Sequence, residues 1–357
     1  MRILIKKKAV KNSIIIILVL ILCGLLKLII EDVDKFSNLW GDSGKKGEKR
    51  VKIGFSLGTL KEERWIRDRD ILMAKAKEMG AELIVQNANN DDQDQLKQVR
   101  YLLDQKIDVL IFVPNDNIKS AAAVELAKEQ GVPVISYDRL VLNAPIDLYI
   151  SFDNFKVGEL MANTILREDK PKDILIINGA ENDNNTKMIK QGYDRILKPL
   201  VASGEVNIVA EEWSANWLRE YAFNVVDAKL QEGANIDAVI AGNDSLAQGV
   251  IEALSEHRMT NKVKVIGQDA DLRACQRIVE GSQYGTIYKP IEKLAETAIE
   301  DAMKLANKEP IEHDQSINNG KYYVPYHVLK PIAVDKNNMD ETIIRDGFHL
   351  REEVYKN

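Results

Sequence analysis

Short, mostly apolar runs recur along the chain, and each stops on a polar cluster rich in Asp, Asn or a cation. The run over 132–135 leads into Tyr137, Asp138 and Arg139, that over 148–152 into Asp153 and Asn154, and that over 174–177 into Asn178 and Gly179. Further on, 238–241 leads into Asn243 and Asp244, 263–266 into Gln268 and Asp269, and 286–288 into Lys289 and Pro290. Runs this short, bounded by turn residues and alternating with helix-length segments, read as buried parallel strands. In open α/β sheets the ligand crevice lies beyond the carboxyl ends of the strands. The pattern therefore gathers hydrogen-bonding side chains where such a fold has its site. Acids and amides with a few cations suit a polyhydroxyl ligand better than a phosphate.

The spacing predicts strands over 51–57, 83–86, 109–113 and 132–137, alternating with helices over 62–79, 93–105 and 118–130, ahead of the 148–152 strand. Gly80 and Gly131 close two of these helices where a left-handed residue is favoured. Pro133 is tolerable near a strand start, where a missing N–H costs least. The alternation resumes with helices over 156–167, up to Leu197, and over 218–231, 245–257 and 272–280, and strands over 174–177, 206–210, 238–241, 263–266 and 285–288. Two such blocks predict two doubly wound parallel-sheet α/β lobes. An amphipathic helix over 291–307 and strand-like pieces over 322–334 follow, so the chain returns and a multi-strand hinge with a cleft joins the lobes. The expected first lobe is 51–150 with 290–327, and the second is 151–289 with 328–357. Crossings are expected near Asp153, at Gly267 to Asp269, at Lys289 to Pro290 and at Val328 to Pro331.

The N-terminus changes the picture. A basic flank over 1–12 precedes an apolar stretch over 13–30 interrupted only by Lys27. As a helix this stretch rises about 27 Å, close to the roughly 30 Å of a hydrocarbon core. Basic residues on the first side place the N-terminus in the cytoplasm and the rest outside. The expectation is a single-pass membrane anchor, a polar tether over 31–50, and an extracellular binding part. A cleaved signal would have a shorter core and a small-residue exit. A lipoprotein signal ending at Cys23 has Leu22 where a small residue belongs.

Composition excludes several classes. A formal net charge of -6 argues against a nucleic-acid partner. With 2 cysteines and 4 scattered histidines, neither a disulfide framework nor a zinc site is expected. No Gly-rich phosphate motif or serine nucleophile elbow follows any strand, so no cofactor is implied. Gly179 and Gly267 read as turn residues. Acid pairs such as Asp138 with Asp269 exist, but hydrolysis needs one carboxyl kept protonated. Here the acids travel with Arg64, Arg139 and Lys289, and cations favour the ionised form. Ionised carboxylates ringed by donors bind hydroxyls well and protonate leaving groups badly. Binding, not catalysis, is the expectation. Of the 4 tryptophans, Trp65 and Trp217 are better placed than Trp40 or Trp213 to face a sugar ring, because each adjoins polar residues on a different lobe.

Glu63-Arg64-Trp65, Asp68-Arg69-Asp70, Tyr137-Asp138-Arg139, the stretch from Tyr149 to Asn154, Asp183-Asn184-Asn185, the stretch from Gly267 to Asp271, and Tyr288-Lys289-Pro290 occur in this order. Together they resemble the D-xylose-binding periplasmic proteins, from Val51 to the tail around Asp346 and His349. The resemblance implies a type I periplasmic binding protein fold that closes on a pyranose. It implies ligand contacts from Arg64, Asp138 and Arg139 of the first lobe. Asp183, Asn185, Trp217, Asn243, Asp269 and Lys289 would come from the second lobe and the hinge, with Trp65 stacking. Lys190 stands where the family carries an arginine, which removes a bidentate fork. The implied mechanism is hinge closure, in which the second lobe completes the hydrogen bonds of sugar held by the first. The closed form could serve an ABC permease, the usual partner of the family, or a membrane sensor such as a histidine kinase. The anchor favours the sensor at this level, with D-xylose or a similar pentose as ligand. A related sugar-responsive repressor is excluded, since no helix-turn-helix precedes Val51.

Overall fold

The computed structural model describes residues 50–356. The membrane anchor and most of the tether expected from the sequence lie outside the described residues. Among the described residues, no helix is long and apolar enough to cross a membrane.

Two sheets organise the chain. The first takes β1 (Lys52–Leu57), β2 (Glu82–Asn87), β3 (Val109–Val113), β4 (Val134–Tyr137) and β5 (Leu148–Phe152), with β11 (Gln315–Asn318) and β12 (Tyr323–Leu329) at one edge, in the order β11-β12-β5-β4-β3-β1-β2. The second takes β6 (Asp173–Asn178), β7 (Asn207–Trp213), β8 (Ala238–Ala241), β9 (Lys264–Gln268), β10 (Gly285–Tyr288) and β13 (Ile332–Val334), in the order β13-β10-β9-β8-β6-β7. Pairing is parallel except at the β11–β12 and β10–β13 edges. This is the two-lobed α/β architecture read from the alternation.

Side chains alternate across each sheet, because successive Cβ atoms point to opposite faces. Ile53, Phe55, Leu57 and Ile111 pack with α1 (Glu63–Glu78) and α9 (Ile291–Ala306), while Leu110 and Phe112 pack with α2 (Asp92–Asp104) and α3 (Ala121–Glu129). In the second sheet, Leu175 and Ile177 face α6 (Arg219–Gln231) and α7 (Asp244–Glu256), whereas Ile174 and Ile176 face α4 (Asn154–Ile165) and α5 (Asn184–Ala202). Helices cover both faces, which is why the strands read as unbroken apolar runs. Pro133 sits just before β4, where its carbonyl accepts from Leu110 N at 2.9 Å and its missing N–H leaves no gap in the ladder. α3 begins at Ala121, later than the expected 118, because the Asp116 carboxylate takes the N–H groups of Ile118 and Lys119 at 2.9 Å each. That local turn competes with the first helical turn.

The chain passes between sheets at Asp153, between β10 and α9 at Lys289 and Pro290, and between β12 and β13 at Lys330 and Pro331. β5 and β12 stay in the first sheet through Phe152 and Leu329, two residues beyond the boundaries expected from sequence. The crossing expected at Gly267 to Asp269 does not occur: β9 and the following α8 (Leu272–Glu280) both belong to the second lobe. A polar strand end looks the same in sequence whether the chain crosses or turns back. The tail adds a π-helical turn (Asp340–Ile344) and a short α10 (Arg351–Val354), whose Ile343 and Val354 pack on Cys275 and Ile278.

Candidate functional site

The residues expected to touch ligand converge. Arg64, Trp65, Asp138, Arg139, Asp183, Asn185, Trp217, Asn243, Asp269 and Lys289 line one cavity between the lobes, joined by Glu62, Asn154 and Gln268. They surround ≈ 370 Å³ of atom-free space, part of it open to solvent. Each lies at or beyond the carboxyl end of a strand, from Glu62 after β1 through Gln268 at the end of β9 to Lys289 after β10, as the geometry of parallel sheets requires. Of the three unexpected members, Asn154 and Gln268 sit inside polar clusters visible in the sequence. Glu62 lies at a helix start, where an acid reads as ordinary capping chemistry. Lys190 is not in the lining. Its ammonium pairs with Glu211 at 2.7 Å and Asp194 at 3.2 Å, so the substitution there alters a neighbouring ion pair and not the cavity wall.

Charges in the cavity are paired in a chain that spans the lobes. Arg64 reaches Asp138 at 2.8 Å and Asp68 at 3.2 Å within the first lobe, and Asp269 of the second at 3.5 Å. Lys289 holds Asp269 at 2.6 Å, and Arg139 holds Asp183 across the cleft at 2.8 Å. Burial alone would raise the Asp138 carboxyl, but Arg64, Lys289 and Arg139 outweigh it and hold the group below its ordinary value. The expectation that cations keep the site acids ionised holds there. At Asp183 burial outweighs the pull of Arg139 and raises the carboxyl, and Asp68, outside the lining, is pushed up by burial to about 6 against the pull of Arg64. Among the described residues, no group of three or more His, Cys, Asp or Glu could hold a metal ion.

Backbone geometry fixes these groups. Asp138 has φ 61°, a left-handed conformation that Asp tolerates better than most residues. Its carbonyl accepts from Ser151 Oγ at 2.7 Å, Tyr149 OH at 3.0 Å and Asn185 Nδ2 at 3.1 Å. Asn185 thus ties the second lobe to the first, and its Oδ1 accepts from Tyr149 OH at 3.3 Å. Asp183 caps α5 through the Asn185 N–H at 2.9 Å, and Asn243 caps α7 through the Leu246 N–H at 2.9 Å. Each cap orients its side chain: the second Asp183 oxygen carries the Arg139 pair, and Asn243 keeps its amide NH2 for the cavity.

The two indoles differ. Trp65 is 3% exposed, with Arg64 4.4 Å and Arg139 5.3 Å from its ring centroid. Trp217 is 8% exposed and follows Asn216, both with positive φ (54° and 53°). The turn is held by the Leu218 N–H on Ser214 Oγ at 2.9 Å, and across the cleft Lys61 Nζ donates to the Trp217 carbonyl at 3.4 Å. The ring lies over Gly179 and Gly242, where added Cβ atoms would come within 2.1 Å and 3.0 Å of it. Gly179 is therefore a packing requirement as well as a turn residue. Gly179→Ala is expected to push the indole off its seat and weaken sugar binding about tenfold or more, since overpacking of this kind costs about 1–3 kcal/mol. Calorimetric titration checks this, and unchanged affinity would show that the ring position does not matter.

Among the buried polar atoms of the lining that have no hydrogen-bond partner are the Trp217 indole Nε1, a donor, and Gln268 Oε1, an acceptor. Gln268 uses its Nε2 on the Gly242 carbonyl at 2.6 Å, so the amide is pinned with its oxygen unpaired. Buried polar atoms without partners are costly and rare. A donor and an acceptor left open in one cavity match a ligand carrying hydroxyls, which both donate and accept.

Residues 53–310 match the family model described as a periplasmic binding protein domain. The chain is 44% identical over 314 residues to the D-xylose-binding periplasmic protein of Haemophilus influenzae, spanning 88% of this chain and 95% of that one. Its identity to the Escherichia coli protein of the same name is 42% over 307 residues, covering 86% and 93%. Among solved structures it resembles an ABC transporter solute-binding protein from Clostridium phytofermentans with bound β-D-glucose, with TM-score 0.78, 28% identity, and 85% and 100% of the two chains covered. A carbohydrate transporter solute-binding protein from Chloroflexus aurantiacus in complex with D-glucose aligns with TM-score 0.80 at 26% identity, covering 86% and 98%. These are binding proteins and not enzymes, and the chain is an extracytoplasmic sugar-binding protein. With this fold, this cavity and these relatives, it belongs to the family of D-xylose-binding periplasmic proteins.

Proposed function

We propose that this chain captures D-xylose or a closely similar pentose outside the cytoplasm and delivers it, closed, to an ABC permease. The observation that carries the reading is the cavity itself: ion-paired acids and cations from both lobes surround an open indole N–H and an open amide oxygen. Sugar hydroxyls satisfy both, and an analogue that lacks or inverts one leaves a desolvated partner stranded. The Arg139–Asp183 and Arg64–Asp269 pairs cross the cleft, so sugar that completes this network favours the closed form.

The relatives' names and the transporter neighbours support delivery better than the signalling role expected from the N-terminal segment. Attachment through 13–30, with the binding part outside, stays in the proposal on the strength of the sequence pattern alone.

Thermal unfolding of the full-length protein against a panel of pentoses and hexoses tests the ligand. A ligand at a hundred times its Kd stabilises by about 2.7 kcal/mol, and D-xylose is expected to give the largest shift. A shift with hexoses alone overturns the pentose assignment. Co-purification in D-xylose tests the partner: a permease is expected, and a histidine kinase without a permease overturns delivery.

A further inference from the structure

Glu62 is a cavity acid that the ion-pair chain does not use. The acids lining the cavity are Glu62, Asp138, Asp183 and Asp269, and the cations are Arg64, Arg139 and Lys289. Asp138, Asp183 and Asp269 each have a cation within 2.8 Å. Among the described residues, Glu62 has no ion pair, and its Oε2 is buried without a hydrogen-bond partner.

Its position makes this more than a spare charge. Glu62 is the N-cap of α1, with extended backbone (φ -81°, ψ 144°), and it makes no side-chain capping bond. A shorter acid, Asp, there ordinarily turns back onto the N–H groups of the first turn, whereas the longer Glu is not a favoured cap. Here the Trp65 N–H is taken by the Glu62 carbonyl at 3.1 Å, and the side chain lines the cavity. The preceding residue, Lys61, is the one whose ammonium reaches the Trp217 carbonyl across the cleft. Glu62 therefore lies where the lobes meet and lines the same cavity as the indole that has an open N–H. Burial raises its carboxyl, opposed by Arg139, by its own backbone N–H and by Lys61, while Asp269 adds to the rise. An ionised carboxylate is acceptor-only, so what its Oε2 lacks is a donor.

We infer that Glu62 is a further ligand-reading residue, whose carboxylate accepts a hydrogen bond from one hydroxyl of the bound sugar and sets selectivity at that carbon. The inference rests on the sugar-binding reading above and adds a contact that the family motifs did not supply. The chemistry it selects is a hydroxyl free to donate. A deoxy or O-methylated carbon at that position leaves the buried oxygen stranded.

Calorimetry on the full-length protein tests it, with wild type, Glu62→Gln and Glu62→Ala titrated with D-xylose and each of its monodeoxy analogues. Glu62→Ala is expected to weaken D-xylose about tenfold, Glu62→Gln less, and one monodeoxy analogue is expected to bind wild type and Glu62→Ala equally. Unchanged D-xylose affinity in Glu62→Ala overturns the assignment while leaving the function intact. Equal losses for every analogue also overturn it, because they mark a purely structural role. Wild-type protein that binds no aldopentose overturns the sugar reading itself, and the assignment with it.

Discussion

Asp269→Asn is expected to weaken sugar binding by about 2–5 kcal/mol, the usual effect of breaking one side of a buried hydrogen-bonded charge pair. Asp269 is where the charge chain of the second lobe meets that of the first. Lys289 lies 2.6 Å and Arg64 3.5 Å from its carboxylate, and Lys289 is only 4% exposed. Without the carboxylate, a buried ammonium loses the partner that offsets its desolvation. Asparagine is the informative replacement because Asp269 has φ 95° and its N–H donates to the Ile287 carbonyl at 2.9 Å. Asn tolerates positive φ, whereas Ala there would add backbone strain. Arg139→Ala is expected to act similarly, through the cross-cleft pair with Asp183 at 2.8 Å. Titration calorimetry reads the affinity and circular dichroism the fold. Near-normal affinity in both variants would sink the placement of the ligand in this cavity.

The largest effect on stability is expected from Arg64→Met, about 3–5 kcal/mol at pH 8. The guanidinium is 4% exposed and joins Asp68, Asp138 and Asp269. Methionine fills much of the volume but leaves buried carboxylates facing one another. Tyr137 OH also donates to Asp68, which holds that acid in place without neutralising it. The pH dependence has a definite sign. In the wild type, Asp138 is held below its ordinary value, so its contribution is present above the unfolded pKa and is lost as pH falls through the folded one. Asp68 is raised to about 6, so it opposes folding above that pH and the opposition fades on acidification. Removing Arg64 raises both groups in the folded state. The variant then binds more protons folded than unfolded, and its stability falls as pH rises. The difference from wild type should be widest at pH 8 and narrow toward pH 5. Urea unfolding at the two values measures it, and a gap independent of pH would mean that Arg64 acts through packing alone.

Much of the fold was legible before any coordinates. The strands at 109–113, 148–152 and 238–241 coincide with β3, β5 and β8, and the helix over 272–280 with α8. Strands buried on both faces have to be apolar throughout, and that is hard to miss. β11 went unseen because Gln315 to Asn318 is a largely exposed edge, with no apolar run to announce it. The π-helical turn and α10 cover only a few residues each, too short for a periodic pattern. Within the site, the family resemblance carried by the ordered motifs named the side chains that line one cavity. Glu62 escaped because a helix start hides an acid, and Gly179 because spacing cannot show that an indole lies on it.

By itself, the sequence determined the alternation of strand and helix, the polar character of every strand end, and the family to which those ends belong. These depend on local periodicity and on residue identity, both of which survive in one dimension. The tertiary structure alone decided which charges pair, which atoms stay open and where the chain changes lobe. A carboxyl's state depends on how much water burial removes and on cations a few ångströms away, contributed by residues far along the chain. That is why Asp138 is held down while Asp183, equally acidic in sequence, is pushed up.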